Sequence, residues 1–178
     1  RQGLMFNLNT GAKSAIVNEN IVKLELESDG ELKQIECDRV LIAVGRRPYT
    51  ADLGIADIGI ELDDRGHIKT DVDGRTSLDG VWAIGDVVTG PMLAHKAEAE
   101  GVAVVERMSG LAGRVNYDAI PWVVYTHPEL ASVGLTQEMA EKEGYQTSLG
   151  KIHYRANARA HCMDETDGLV KVIANAET

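Results

Sequence analysis

The run "VWAIGDVV" at residues 81–88 closes an apolar stretch with Gly85-Asp86, so a carboxylate stands where a buried strand would stop. In an open α/β sheet, ligands sit in the crevice beyond the carboxyl ends of the strands, and a glycine there lets a second group approach the backbone. A few residues on, "TGPMLAHKAEAEGVAVVERMSG" (89–110) reads as a helix. Pro91 suits its first turn, where the missing N–H is not needed, and Gly110 suits its stop. Strand end, short loop and helix start together aim a carboxylate and the positive end of a helix dipole at one place. Asp86 would accept hydrogen bonds from hydroxyls, and the free N–H groups favour a partner that carries or develops negative charge. A polyol joined to a ring whose oxygen becomes anionic, as in a flavin, answers that description; a sugar or a nucleotide fits the same spacing. Ala94, Ala97 and Gly101 form a small-residue stripe on the helix, which suits close approach to a sheet or cofactor and equally suits plain packing.

Other chemistry is thinly represented. The two cysteines, Cys37 and Cys162, are too few for a disulfide framework and fit a reducing compartment. Cys37, beside an apolar run, reads as an inert buried thiol. His153, His161 and Cys162 could be read as metal ligands, but no carboxylate–histidine cluster at ligand spacing supports that reading, and no metal site is expected.

The elements that would position these residues follow from pattern. With 178 residues the chain is long enough for a real core. Its 28 acidic against 18 basic residues, a net charge of -10, argue against nucleic acid and anionic membrane surfaces as partners. No apolar run approaches a membrane-spanning length and no leader-like segment opens the sequence, so a soluble protein is expected. "IVKLELE" (21–27) alternates Val22, Leu24 and Leu26 with Lys23, Glu25 and Glu27, and "SDGE" supplies the turn of a β-meander. "RVLIAVG" (39–45) is apolar without alternation, as in a strand covered on both faces, and ends at Pro48. A short hairpin is expected around 62–70. Beyond Gly110, "PWVVYT" and "LASVG" read as strands, and "TQEMAEKEG" (136–144) as a helix capped by Thr136 and stopped by Gly144. "TSLGKIHY" and "GLVKVIAN" read as two further strands.

Three segments, "LIAVGRRPYT", "TSLDGVWAIGDVVTGPMLAHKAEAEG" and "WVVYTHPELASVG", closely resemble consecutive stretches of the dihydrolipoamide dehydrogenases, in the pyridine nucleotide-disulfide oxidoreductase family. The resemblance runs over nearly the whole chain. Glutathione and mercuric reductases share "AIGD", whereas "PMLAHKAEAEG" and "YTHPE" look like the lipoamide branch. It implies an α/β fold built of the end of a Rossmann-like NAD domain (1–47), the second half of the FAD-binding domain with its central region (48–118), and the start of an α+β dimerisation domain (119–178). It further implies FAD and NAD as cofactors. Asp86 would hold the flavin ribityl chain, and Met92, Leu93, Ala94 and His95 would line the isoalloxazine, largely through backbone. Gly45 would lie beside the NAD site and Ala12 on its adenine side.

The resemblance also implies a homodimer, lipoyl domains of 2-oxo acid dehydrogenase complexes as partners, and a bacterial cytoplasm or mitochondrial matrix. The glycine-rich phosphate turns of that family, its cysteine pair four residues apart and its His-Pro-Thr-x-x-Glu element have no match in this sequence. "HPEL" at 127 lacks the Thr and the spaced Glu, so His127 reads as structural. The chain is therefore expected to be a piece of such an enzyme, without catalytic residues of its own and inactive alone. The alternatives are a non-catalytic dimerisation or interaction module, or a related FAD disulfide reductase such as glutathione or mercuric reductase.

Overall fold

The computed structural model describes residues 3–178, which divide into two compact units, the first ending at Arg46 and the second spanning Arg47–Thr178. In the first unit β1 (Thr10–Asn18), β2 (Ile21–Ser28) and β3 (Glu31–Cys37) form an antiparallel sheet in that order. The alternation read in 21–27 sets its register. Leu24 lies opposite Ala15 and Ile35, Val22 opposite Val17 and Cys37, and Lys23 pairs across to Glu36 at 3.1 Å. Asp29 and Gly30, with φ of 52 and 81, make the tight turn between β2 and β3 for which Asp-Gly is suited. Cys37 is half-buried, and its Sγ donates to the Val22 carbonyl at 3.6 Å.

The expected strand at 39–45 does not form. Leu41, Ile42 and Val44 are 89%, 78% and 91% exposed, and no described strand lies beside them. A strand covered on both faces exists only when neighbours complete its ladder, and apolar residues alone do not supply them.

The second unit is organised around Ile55, Ile60, Ile68, Ala83 and Val88, with Leu78, Val81 and Val87 packed on them. Its loops are closed by carboxylates. Asp63 Oδ1 accepts from the Arg65 and His67 N–H groups, and Asp71 Oδ1 accepts from those of Asp73 and Arg75. The His67 N–H is the main cause of an Asp63 pKa below the usual carboxylate value. The hairpin expected at 62–70 is reduced to one bridge, Leu62 to Ile68, because the Asp63 side chain takes the His67 N–H that would extend the ladder.

The run 81–88 also differs from expectation. Its strand pairing is limited to isolated bridges at Trp82 and Val88, and it passes into a 3-10 turn, Gly85–Val87. Backbone partners serve Val81, Ala83 and Val87, and at Gly85 side chains from the following helix take the N–H and share the carbonyl with the Val88 N–H.

Helix α1 spans Ala94–Met108 and buries Lys96, Glu100, Ala103 and Val104, one face at helical spacing. It begins three residues beyond Pro91. The Leu93 N–H donates to the Pro91 carbonyl at 3.0 Å, a tight turn that leaves Leu93 extended and makes it the N-cap. At the far end the Gly110 N–H reaches the Arg107 carbonyl and the Leu111 N–H the Glu106 carbonyl, with Gly110 at φ 79. This is the double bond pattern with which a left-handed glycine ends a helix.

Beyond α1, β4 (Trp122–Val124) pairs with β5 (Leu130–Ser132). Helix α2 (Gln137–Lys142) is capped by Thr136, whose Oγ1 accepts from the Met139 N–H at 3.2 Å. β6 (Thr147–His153) pairs antiparallel with β7 (Leu169–Asn175), and α3 (Ala158–Cys162) lies between them in sequence. These strands and caps fall where the pattern placed them, in a mixed α/β fold of small sheets.

Much apolar surface stays open, including Ile152 and Val172 at 58% each. The chain exposes 14596 Å², against about 10,000 Å² for two compact units of these lengths.

Candidate functional site

Gly85 is the pivot of the candidate site. Its φ of 78 lies in the left-handed region, and a Cβ added to it would stand 3.3 Å from Ala97 Cβ. A side chain is thus disfavoured twice, by backbone conformation and by α1 beside it. A Cβ on Gly101 would meet Ile84 Cδ1 at an ordinary contact distance of 3.5 Å, so it is at Ala97, rather than Gly101, that the 84–85 segment limits side-chain size. Ala94, the third residue of the stripe, is exposed.

Both backbone polar groups of Gly85 are held by α1. Its N–H donates to Glu100 Oε2 at 2.8 Å, and its carbonyl accepts from Lys96 Nζ at 3.1 Å. The same Nζ lies 3.1 Å from each Glu100 carboxylate oxygen. Tyr117 donates its hydroxyl to Glu100 Oε1 at 3.0 Å. Lys96 is 1% exposed and Glu100 5%. Two opposite charges are thus fully desolvated yet paired and hydrogen-bonded, the condition under which a protein tolerates them inside.

Tyr117 shows the effect of this setting. Its hydroxyl is held above the ordinary tyrosine value, first by burial and then by donation to Glu100, while Arg107 pulls slightly the other way. The native state therefore keeps this proton after the unfolded chain has lost it. The contribution to stability is whole below about pH 10 and is lost as the pH climbs through the native value. An alkaline absorbance titration is expected to show one of the 5 tyrosines ionising late. Tyr117→Phe should remove that late component, and five tyrosines titrating together would contradict the assignment.

The residues expected to face a ligand follow directly. Asp86, next to the clamped glycine, is half-buried, as are Met92 and Leu93, whereas Ala94 and His95 are exposed. The start of α1 has no side-chain cap and no acidic residue in its first turn, so its positive end is not neutralised locally. His95 Nε2 lies 2.8 Å from the Pro121 carbonyl. That oxygen only accepts, so Nε2 carries the proton, and the bond ties the helix start to the residue preceding β4.

Gly45 and Ala12 belong to the first unit. Gly45 is exposed with φ 95. Ala12 is exposed in β1 opposite Leu26, where the register shifts before Ser14. Among the described residues no three His, Cys, Asp or Glu side chains converge as metal ligands. His161 Nε2 is engaged by the Arg155 carbonyl at 2.7 Å. No helix among them is long and apolar enough to cross a membrane.

Lys96, Glu100 and Tyr117 escaped the reading by motif. The signal was present in the spacing: 96, 100, 103 and 104 share one helix face, so two charged residues continue the apolar stripe.

Comparison with known proteins places this geometry. The family described as pyridine nucleotide-disulphide oxidoreductase matches residues 1–101, and its dimerisation domain matches residues 120–178. The chain is 44% identical over 181 residues to the mitochondrial dihydrolipoyl dehydrogenase of Bos taurus, covering 100% of this chain and 36% of that protein. It is 47% identical over 180 residues to dihydrolipoyl dehydrogenase 3 of Pseudomonas putida, covering 100% and 38%. Among solved structures, LpdA of Mycobacterium tuberculosis matches with a TM-score of 0.85 and 26% identity, over 96% of this chain and 37% of that one. An HOCl-induced flavoprotein disulfide reductase of Escherichia coli matches with a TM-score of 0.81 and 30% identity, over 94% and 38%. The chain thus spans less than two-fifths of the length of these relatives. With its sequence matched from end to end and its fold shared with flavoprotein disulfide reductases, the chain belongs to the pyridine nucleotide-disulphide oxidoreductase family.

Proposed function

We propose that this chain is the part of a dihydrolipoamide dehydrogenase that supplies the ring end of its FAD site and the beginning of its dimer interface. The observation that carries this reading is the Gly85 clamp, which sets Asp86 in register with the uncapped start of α1. The donor set fits a flavin. A carboxylate accepts from ribityl hydroxyls, and N–H groups at a helix start receive the ring edge that gains negative charge on reduction. A flavin held there would supply two-electron redox chemistry between a dithiol and NAD.

The chain's own residues bind and orient. Asp86 holds the ribityl chain, and the backbone of Met92, Leu93, Ala94 and His95 lines the ring. The His95 bond to Pro121 anchors the helix start to the segment that begins the dimerisation domain. Gly45 and Ala12 serve NAD, at its ring side and its adenine side respectively. On this reading residues 1–47 close the NAD domain, 48–118 form the second half of the FAD domain with its central region, and 119–178 open the dimerisation domain. The name of that matched domain supports homodimerisation. Lipoyl domains of 2-oxo acid dehydrogenase complexes are the proposed partners, with cytoplasm in a bacterium or mitochondrial matrix in a eukaryote as the site of action.

A comparison of the intact protein with this chain alone tests the reading. The intact protein should hold stoichiometric FAD. The chain alone should be colourless, show no dihydrolipoamide-dependent NAD reduction, and bind a hydrophobic dye through the surface left open at 39–45 and on β6–β7. A yellow chain that turns over dihydrolipoamide unaided would overturn it.

A further inference from the structure

We propose that Lys96, Glu100 and Tyr117 are positioning residues of the flavin site, which lock the backbone of Gly85 to α1 so that the Asp86 carboxylate and the helix start are held as one rigid body. This rests on the flavin reading above. A buried ion pair is a poor device for stability alone, since apolar residues of similar volume do as well or better in its place. This pair occupies a helix stripe that continues as Ala103 and Val104, where Met and Leu would pack without any desolvation penalty. Its geometry points to another role. Among the described residues, the side-chain hydrogen bonds it makes outside itself go to the Gly85 N–H, the Gly85 carbonyl and the Tyr117 hydroxyl.

On either side of Gly85 the Ala83 N–H and the Val87 carbonyl bond to neighbouring backbone, whereas the Gly85 N–H goes to the Glu100 carboxylate and its carbonyl is shared between the Val88 N–H and Lys96. Partners from a neighbouring strand would fix the turn to a sheet. Partners from α1 fix it to the helix whose first turn faces the same ligand. The 3.3 Å approach that a Cβ at Gly85 would make to Ala97 shows how close the two elements lie. Tyr117 completes the device from outside the helix by orienting Glu100, whose other oxygen is committed to the glycine. Among the described residues, no buried side-chain polar atom lacks a hydrogen-bond partner.

The test uses the intact protein that carries this chain, with FAD affinity and the spectrum and reduction potential of the bound flavin as readouts, well below the melting temperature. Lys96→Met/Glu100→Leu, which removes the charges together, is expected to weaken FAD binding about tenfold, the size that follows from one lost buried partner. It should also shift the spectrum and potential of the flavin even at saturating FAD. Glu100→Gln, whose amide oxygen still accepts from the Gly85 N–H, should restore part of the affinity relative to Glu100→Leu.

A merely structural pair would change melting alone. A saturated double variant with wild-type affinity, spectrum and potential therefore overturns the proposal. Should the double variant fail to fold, Tyr117→Phe decides, because it removes only one hydroxyl from a half-exposed ring; unchanged affinity and potential there overturn it equally. If the wild-type protein holds no FAD, or Asp86→Ala leaves its affinity untouched, the flavin reading itself has failed and the positioning role falls with it.

Discussion

Glu100→Leu in this chain is expected to lower the free energy of unfolding by about 3–5 kcal/mol, the usual result of removing one member of a buried ion pair. The magnitude follows from what is left behind. Lys96 Nζ loses both carboxylate oxygens at 3.1 Å while staying almost wholly buried. The buried Gly85 N–H loses its acceptor in the same stroke, a loss included in that figure, while the half-exposed Tyr117 hydroxyl can turn to water. Leucine packs well in the space, so the loss reflects electrostatics rather than a cavity. Removing the lysine as well should recover the charge component, so Lys96→Met/Glu100→Leu is expected to be more stable than Glu100→Leu. Denaturant unfolding followed by circular dichroism checks both. A single variant within about 1 kcal/mol of the wild type would mean that water reaches this pair, contrary to its burial.

Asp86→Ala in the intact protein is expected to weaken FAD binding by about 1.5–3 kcal/mol, the range for hydrogen bonds to a charged acceptor. That corresponds to roughly 10- to 150-fold in the dissociation constant. Asp86→Asn should lose less, because the amide oxygen still accepts from a hydroxyl while the charge is gone. The helix start would continue to serve the ring in both variants, so a reduced affinity with a nearly unchanged flavin spectrum is the expected pattern. FAD titration of the apoprotein measures it. Full flavin retention by Asp86→Ala would remove this carboxylate from the site.

These two outcomes concern neighbouring residues that were not equally legible. Asp86 stands out in the sequence because a charge ends an apolar run beside a glycine, and the dehydrogenase resemblance supplies a ribityl chain for it to hold. Glu100 is four residues from a lysine on a helix rich in charge, which ordinarily describes a solvated i,i+4 pair. Only the packing of α1 against the 84–85 backbone turns that pair inward.

The same division runs through the fold. Sequence alone determined what depends on a few adjacent residues: the Asp29-Gly30 turn and the β1–β3 meander around it, the Gly110 stop of α1, the Thr136 cap of α2, and the strands β6 and β7, though not their pairing. In each case a side chain or a glycine meets backbone groups within a few positions, or alternation repeats over a whole strand. Tertiary structure alone decided the rest. Residues 39–45 and 81–88 have strand composition, yet a strand needs a neighbour to share its backbone hydrogen bonds. Helix α1 starts at Ala94 rather than near Pro91 because a turn closing on the Pro91 carbonyl intervenes. The clamp on Gly85 joins residues 11 and 15 positions away, with Tyr117 17 positions beyond Glu100. A charge is stable inside only where several such groups converge on it, and convergence is a property of packing that spacing along the chain does not contain.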